Sequence, residues 1–131
     1  QGVDFVIASL ERMHGGELYV PKIPSAKIVD LARAVGPDCE LVDVGIRPGE
    51  KLHEMMISAD DARSSLEFDD HYVLVPHFPW WSGRAHNYDG ATPVADGFEY
   101  SSERNDWWLS VEEIRELIRP FEDGADPAAR T

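Results

Sequence analysis

Arg47-Pro48-Gly49-Glu50 sets a guanidinium and a carboxylate three positions apart on a stretch that its own middle residues bend. Proline presets φ at one turn position, and glycine accepts a positive φ at the next. The planar fork of arginine suits phosphate oxygens, and a carboxylate accepts from the two hydroxyls of a vicinal diol. Side by side, the two groups describe a clamp for a nucleoside diphosphate. Arg47 would take the diphosphate and Glu50 the ribose. Lys51 follows directly and either adds a second cation for phosphate or only neutralises Glu54. By spacing alone, a solvent-exposed turn with an i,i+3 ion pair is the commoner use of such residues, and these pairs contribute little.

Other residues with chemical potential resolve into packing roles. His53 and Glu54 are both of zinc-binding type, but nothing nearby completes three ligands at usual spacing, so His53 is expected to pack. His71, His77 and His86 lie in or beside irregular sequence and are expected at the surface. Trp80, Trp81, Trp107 and Trp108 offer faces for a uracil or sugar ring, although core or interface packing uses tryptophan more often. Asp60, Asp61, Asp69 and Asp70 lack the glycine and the alternation of a calcium loop, so helix capping and solvated faces account for them. No metal is expected. Tyr19 and Lys22 are three apart on an expected strand, which sends them to opposite faces. No Gly-x-Gly occurs, so the dinucleotide fingerprint is absent. The chain therefore offers neither catalytic nor cofactor-binding residues of its own.

The clamp needs a stiff support, and the pattern supplies candidates. Val3, Val6, Ile7, Leu10 and Met13 recur at helical spacing on one face, and Gly15-Gly16 ends the helix they predict. Residues 17–20 alternate as a short strand. Ser25 is placed to cap a helix through Val35 with Ile28, Leu31, Ala32 and Val35 inward, and Gly36-Pro37 stops it. Residues 40–44 read as a buried strand that delivers the turn. Residues 51–57 fit a short helix or an extended segment equally. Ser58, Asp60 and Asp61 look like a cap over one or two helical turns, and residues 72–75 like a strand. Ser110-Val111-Glu112-Glu113 is a capping box, followed by an apolar stripe of Val111, Ile114, Leu117 and Ile118.

The expected organisation is one α/β domain over residues 1–121. Within it, residues 76–99, rich in Pro, Gly, Trp and His, form an irregular excursion that is either mobile or ordered by a partner surface. Residues 122–131 read as a disordered acidic tail. With 25 acids against 12 bases, the formal charge is −13, which repels nucleic acid and anionic lipid. An anionic ligand then depends on local cations such as Arg47. The single cysteine, Cys39, can make no internal disulfide and points to a reducing compartment. No apolar run approaches the roughly 18 residues of a membrane span, so a cytoplasmic location is expected. A start at Gln1 inside an amphipathic pattern is what a piece of a longer chain would show.

A longer series of residues supports the clamp. Pro21-Lys22-Ile23-Pro24-Ser25, Lys27-Ile28-Val29-Asp30-Leu31-Ala32, Gly45-Ile46-Arg47-Pro48-Gly49-Glu50-Lys51-Leu52-His53-Glu54, Asp60-Asp61-Ala62-Arg63 and Glu67-Phe68-Asp69-Asp70 follow in order. Tyr100-Ser101-Ser102, Asn105-Asp106 and Trp108-Leu109-Ser110 continue it. The series resembles the C-terminal part of the inverting UDP-N-acetylglucosamine 4,6-dehydratases, within the extended short-chain dehydrogenase/reductase superfamily. The resemblance implies a C-terminal substrate-binding part without the N-terminal Rossmann portion. It gives Arg47 the diphosphate of UDP-N-acetylglucosamine and Glu50 the uridine ribose.

By the same resemblance, the full-length enzyme would hold NADP through its N-terminal part and form homo-oligomers. It would oxidise the sugar at C4, lose water across C5–C6 and reduce C6 with inversion at C5. The 4-keto-6-deoxy product would lead towards pseudaminic-type sugars of surface glycans. The chain alone would be inactive. Two alternatives stay open: a nucleotide-sugar 4-epimerase or C5-retaining 4,6-dehydratase using the same clamp, and a non-catalytic nucleotide-sugar binding or interaction module.

Overall fold

A computed structural model describes residues 2–78 and 88–122 of the chain. They fall into two compact units. One comprises the residues up to Ile23 together with His53–Arg104, and the other comprises Pro24–Leu52 and the residues from Asn105 onward. The expected tail and the Trp80-Trp81 and His86 positions lie outside the described residues, Glu122 excepted.

In the first unit, helix α1 (Gly2–Arg12) leads to strand β1 (Leu18–Pro21). Then come β2 (Met55–Ile57), a 3-10 turn (Asp61–Ser64), β3 (Ser65–Glu67), β4 (His71–Leu74), β5 (Thr92–Pro93) and β6 (Tyr100–Ser101). Four strands form a sheet in the order β1-β4-β3-β5, and β2 pairs with β6. Every pairing in both sheets is antiparallel. Of the undecided stretch 51–57, Met55–Ile57 is thus a strand, and β5 anchors residues 92–93 of the 76–99 excursion.

Alternation decides what each strand buries. Val20 lies opposite Tyr72, and both turn to a core completed by Ile57 and Tyr100. Leu74, Val94 and Phe98 pack against it. The Tyr72 and Tyr100 rings lie 5.2 Å apart, inclined at 45°. The Tyr100 hydroxyl accepts from the Ile23 N–H at 2.8 Å and donates to the Ile23 carbonyl at 3.0 Å, so the one polar atom of that ring is satisfied. Burial first, and then the nearby Glu67 carboxylate, push the Tyr72 hydroxyl up to about 12. Lys22 hydrogen-bonds Glu67 at 2.7 Å and sits 4.9 Å over the Tyr72 ring. On the opposite face, Tyr19 stacks on His71. Tyr19 and Lys22 therefore do face apart.

Several expectations change here. His71 is not a surface histidine: it is 3% exposed, lies in β4 and stacks 4.5 Å from Phe68. His53 is not a packing residue. Its side chain is 46% exposed and its Nε2 is 4.0 Å from Glu103 Oε1. The α1 stripe Val3, Val6, Ile7 and Leu10 is exposed. Phe5 makes the inward contact instead, edge-on to His71 with ring centroids 6.1 Å apart.

In the second unit, α2 (Ile28–Val35) packs against α3 (Val111–Glu122), burying Ala34 and Ile114. Ser25 is not the cap of α2. Lys27 holds that position without a side-chain cap, because Ser25 is drawn into a parallel bridge with Trp108. Its N–H donates to the Trp107 carbonyl at 2.8 Å, and its carbonyl accepts from the Leu109 N–H at 2.9 Å. The expected inward face of α2 also fails: Ile28, Leu31 and Val35 are exposed among the described residues. At the start of α3 the capping box forms as the sequence directs. Ser110 N–H and hydroxyl both reach Glu113 Oε2 at 2.8 Å, and Glu113 N–H returns to Ser110 Oγ at 3.2 Å. Glu113 is held below the ordinary glutamate range by these bonds.

Candidate functional site

Residues 40–46 precede the clamp without forming the expected strand. They have no ladder partner among the described residues, and Leu41, Val42, Val44 and Ile46 are exposed. An apolar run becomes a strand only where another edge offers hydrogen bonds. Local chemistry takes over from there. Asp43 Oδ1 accepts the Gly45 N–H at 2.7 Å, and Gly45 has φ +75°. The chain then closes a turn in which Glu50 N–H donates to the Arg47 carbonyl at 3.1 Å. Gly49, with φ +87°, occupies the position that a type II turn reserves for glycine.

The two clamp side chains meet on this turn. Glu50 Oε2 accepts the Arg47 N–H at 2.7 Å, and Glu50 Oε1 lies 3.9 Å from Arg47 Nε. Their side chains are 78% and 49% exposed. The main-chain bond fixes the carboxylate to the turn. The ion pair is long and weak, and the guanidinium makes no hydrogen bond to another described residue. Its fork therefore presents donors to solvent beside an anchored acceptor, the pairing that a diphosphate and a neighbouring diol require. Lys51 is also exposed. Neither Trp107 nor Trp108 is buried.

A second cluster in the first unit was not legible from sequence. The Glu17 side chain has no exposed area. Its Oε1 accepts from the His14 N–H at 2.8 Å and the Tyr88 hydroxyl at 3.1 Å, and its Oε2 accepts from the Gly15 N–H at 2.8 Å. His14 Nδ1 lies 3.1 Å from the same carboxylate. Burial alone would raise the pKa of Glu17, but these donors outweigh it and hold the group below the ordinary glutamate range. Burial, and next the charge of Glu17, push the Tyr88 hydroxyl well above the ordinary tyrosine range. Beside this cluster lies a cleft of about 330 Å³ lined by Arg12, His14, Tyr19, Phe68, His71, Tyr88 and Asp89. His71 Nδ1 is 2.6 Å from Asp70 Oδ1, and that bond keeps the Asp70 carboxyl below its usual range. No sequence signal ties Glu17 to Tyr88, 71 residues away.

The Glu17 bonds carry a pH dependence. A carboxylate with a lowered folded-state pKa stabilises the fold above the ordinary glutamate range, and this contribution is lost as pH falls through the folded value. Glu17→Gln is expected to cost about 1–3 kcal/mol at neutral pH, since a buried donor set loses its charged acceptor. The cost should shrink towards pH 3. Urea unfolding of parent and variant at pH 7 and pH 4 measures it, and an equal difference at both would contradict it.

The family model described as polysaccharide biosynthesis protein matches residues 1–76. The chain is 46% identical over 127 residues to a UDP-N-acetylglucosamine 4,6-dehydratase (inverting) of Campylobacter jejuni subsp. jejuni serotype O:2, covering 92% of this chain and 38% of that protein. It is 31% identical over 125 residues to a UDP-glucose 4-epimerase of Rickettsia massiliae, covering 88% of this chain and 35% of that protein. Among solved structures, Pen from Bacillus thuringiensis superposes with a TM-score of 0.77 at 24% identity, over 93% of this chain and 36% of that one. The mixed helix-and-strand fold is thus shared with Pen. The chain spans well under half the length of each of these proteins. With the family model matching more than half of its residues, the chain belongs to the polysaccharide biosynthesis protein family.

Proposed function

We propose that this chain is the substrate-binding part of a nucleotide-sugar dehydratase that converts UDP-N-acetylglucosamine to a 4-keto-6-deoxy sugar nucleotide with inversion at C5. The observation that carries it is the exposed turn of residues 47–50, where a solvent-facing guanidinium stands beside a carboxylate anchored by its own main chain. Arg47 binds the diphosphate, Glu50 the ribose hydroxyls, and Lys51 adds positive charge. One Glu50 oxygen already serves the Arg47 N–H, so the other is the better placed acceptor for the diol. The similarity to the inverting dehydratase supports this choice over a 4-epimerase, whose example here is less similar.

This chain's own residues do not fit NADP. No Gly-x-Gly is present, and the antiparallel sheets offer no strand-to-helix phosphate loop among the described residues. The cofactor belongs with the portion of the longer protein outside these 131 residues. We place that protein in the cytoplasm as a homo-oligomer, supplying pseudaminic-type sugars for surface glycans. Incubation with UDP-N-acetylglucosamine and NADP should give the 4-keto product with full-length protein and none with the 131-residue chain. Turnover by the pure chain, or a 4-epimer from the full-length protein, would contradict the proposal.

A further inference from the structure

Strand β1 is the outer strand of its sheet and pairs on one side with β4. Just past its end, the Lys22 N–H donates to the Asp70 carbonyl at 2.9 Å. Hydrogen-bonded and non-bonded pairs alternate in an antiparallel ladder. Val20, opposite Tyr72, and Leu18, opposite Leu74, therefore also turn their main-chain groups to β4. Tyr19 and Pro21 turn theirs away. Proline has no N–H to lose there, which is where a sheet tolerates it. Tyr19 is left with both an N–H and a carbonyl directed out of the sheet.

The helix leading into this strand is uncovered in the same sense. Val3, Val6, Ile7 and Leu10 are between 52% and 72% exposed. An amphipathic helix is stabilised by burying such a stripe, and a contiguous exposed one marks a contact. The aligned part is 38% of the dehydratase relative, so most of that protein's length lies outside it and could supply a cover.

We propose that an extended segment of the longer protein, outside these 131 residues, pairs with the Tyr19 main chain and lays apolar side chains over Val3, Val6, Ile7 and Leu10. The inference rests on the proposed function only in taking this chain as part of a longer protein. A tethered segment suits the edge better than a second copy. With Pro21 closing one end, the edge offers main-chain bonding at Tyr19 and little more. So short a ladder does not offset the entropy lost when separate molecules associate, whereas a tether supplies a high local concentration.

Amide exchange on the full-length protein tests this. The Tyr19 amide should be protected to within about ten-fold of Val20, which bonds to β4, and Leu10→Glu should lower Tm by about 5 °C or more. Exchange at Tyr19 more than about a hundred-fold faster than at Val20 would overturn the proposal, as would a Leu10→Glu variant with unchanged Tm. Protection that vanishes when subunits are diluted apart would assign the edge to a second copy and overturn it too. Neither readout depends on Arg47 or Glu50, so failure here is distinct from failure of the nucleotide clamp.

Discussion

Arg47→Ala in the full-length protein is expected to raise KM for UDP-N-acetylglucosamine about ten- to a hundred-fold, the equivalent of one charge-assisted hydrogen bond of roughly 1.5–3 kcal/mol. The parent guanidinium is already exposed and held only by a 3.9 Å ion pair, so little folded-state stability goes with it. On the proposed reading, its contacts to the diphosphate would lie away from the sugar carbons that react. Such contacts would be made equally in ground and transition states, and kcat should change less than KM. Glu50→Gln should show the same pattern with a smaller loss, about three- to thirty-fold for a net 1–2 kcal/mol. It also weakens the acceptor that holds the Arg47 N–H, so part of its effect will come through the shape of the turn. Steady-state kinetics on both variants separates the two parameters.

The largest loss of stability is expected at Ile57. Its side chain is wholly buried beside Val20, Tyr72 and Tyr100, at the end of the short strand β2. Ile57→Ala removes three carbons from a small core and should cost about 2–5 kcal/mol, according to how far the rings close over the gap. Against a usual total of about 5–15 kcal/mol, that is a large share. The urea midpoint should fall with the slope unchanged. Exposed Leu52, by contrast, should tolerate alanine with little change.

What the sequence made legible was local. Pro48 and Gly49 fix their turn by their own φ preferences, and Ser110 with Glu113 closes a box four residues wide, so both appear as expected. The strands at Tyr19 and Val73 follow from alternation over a few residues. What failed needed a partner far along the chain. Ser25 has the right chemistry for a cap, but Trp107 and Leu109 claim its main chain. His71 sits in a sequence that looks irregular, yet Phe68, Tyr19 and Phe5 surround its ring. The buried Glu17 depends on Tyr88, and no periodic signal links them. The apolar residues of the 40–46 stretch and of α1 point the same way from the other side. Their pattern asks for burial that the described residues do not provide.

The geometry of the Arg47–Glu50 turn was legible because all of it lies within four residues, while a role in binding was not, since an exposed ion pair is also an ordinary surface feature. Isothermal titration of UDP into the full-length protein and its Arg47→Ala variant decides between the two. The variant is expected to bind UDP about ten- to a hundred-fold more weakly than the parent. Equal affinity would make the Arg-Pro-Gly-Glu turn a turn and nothing more.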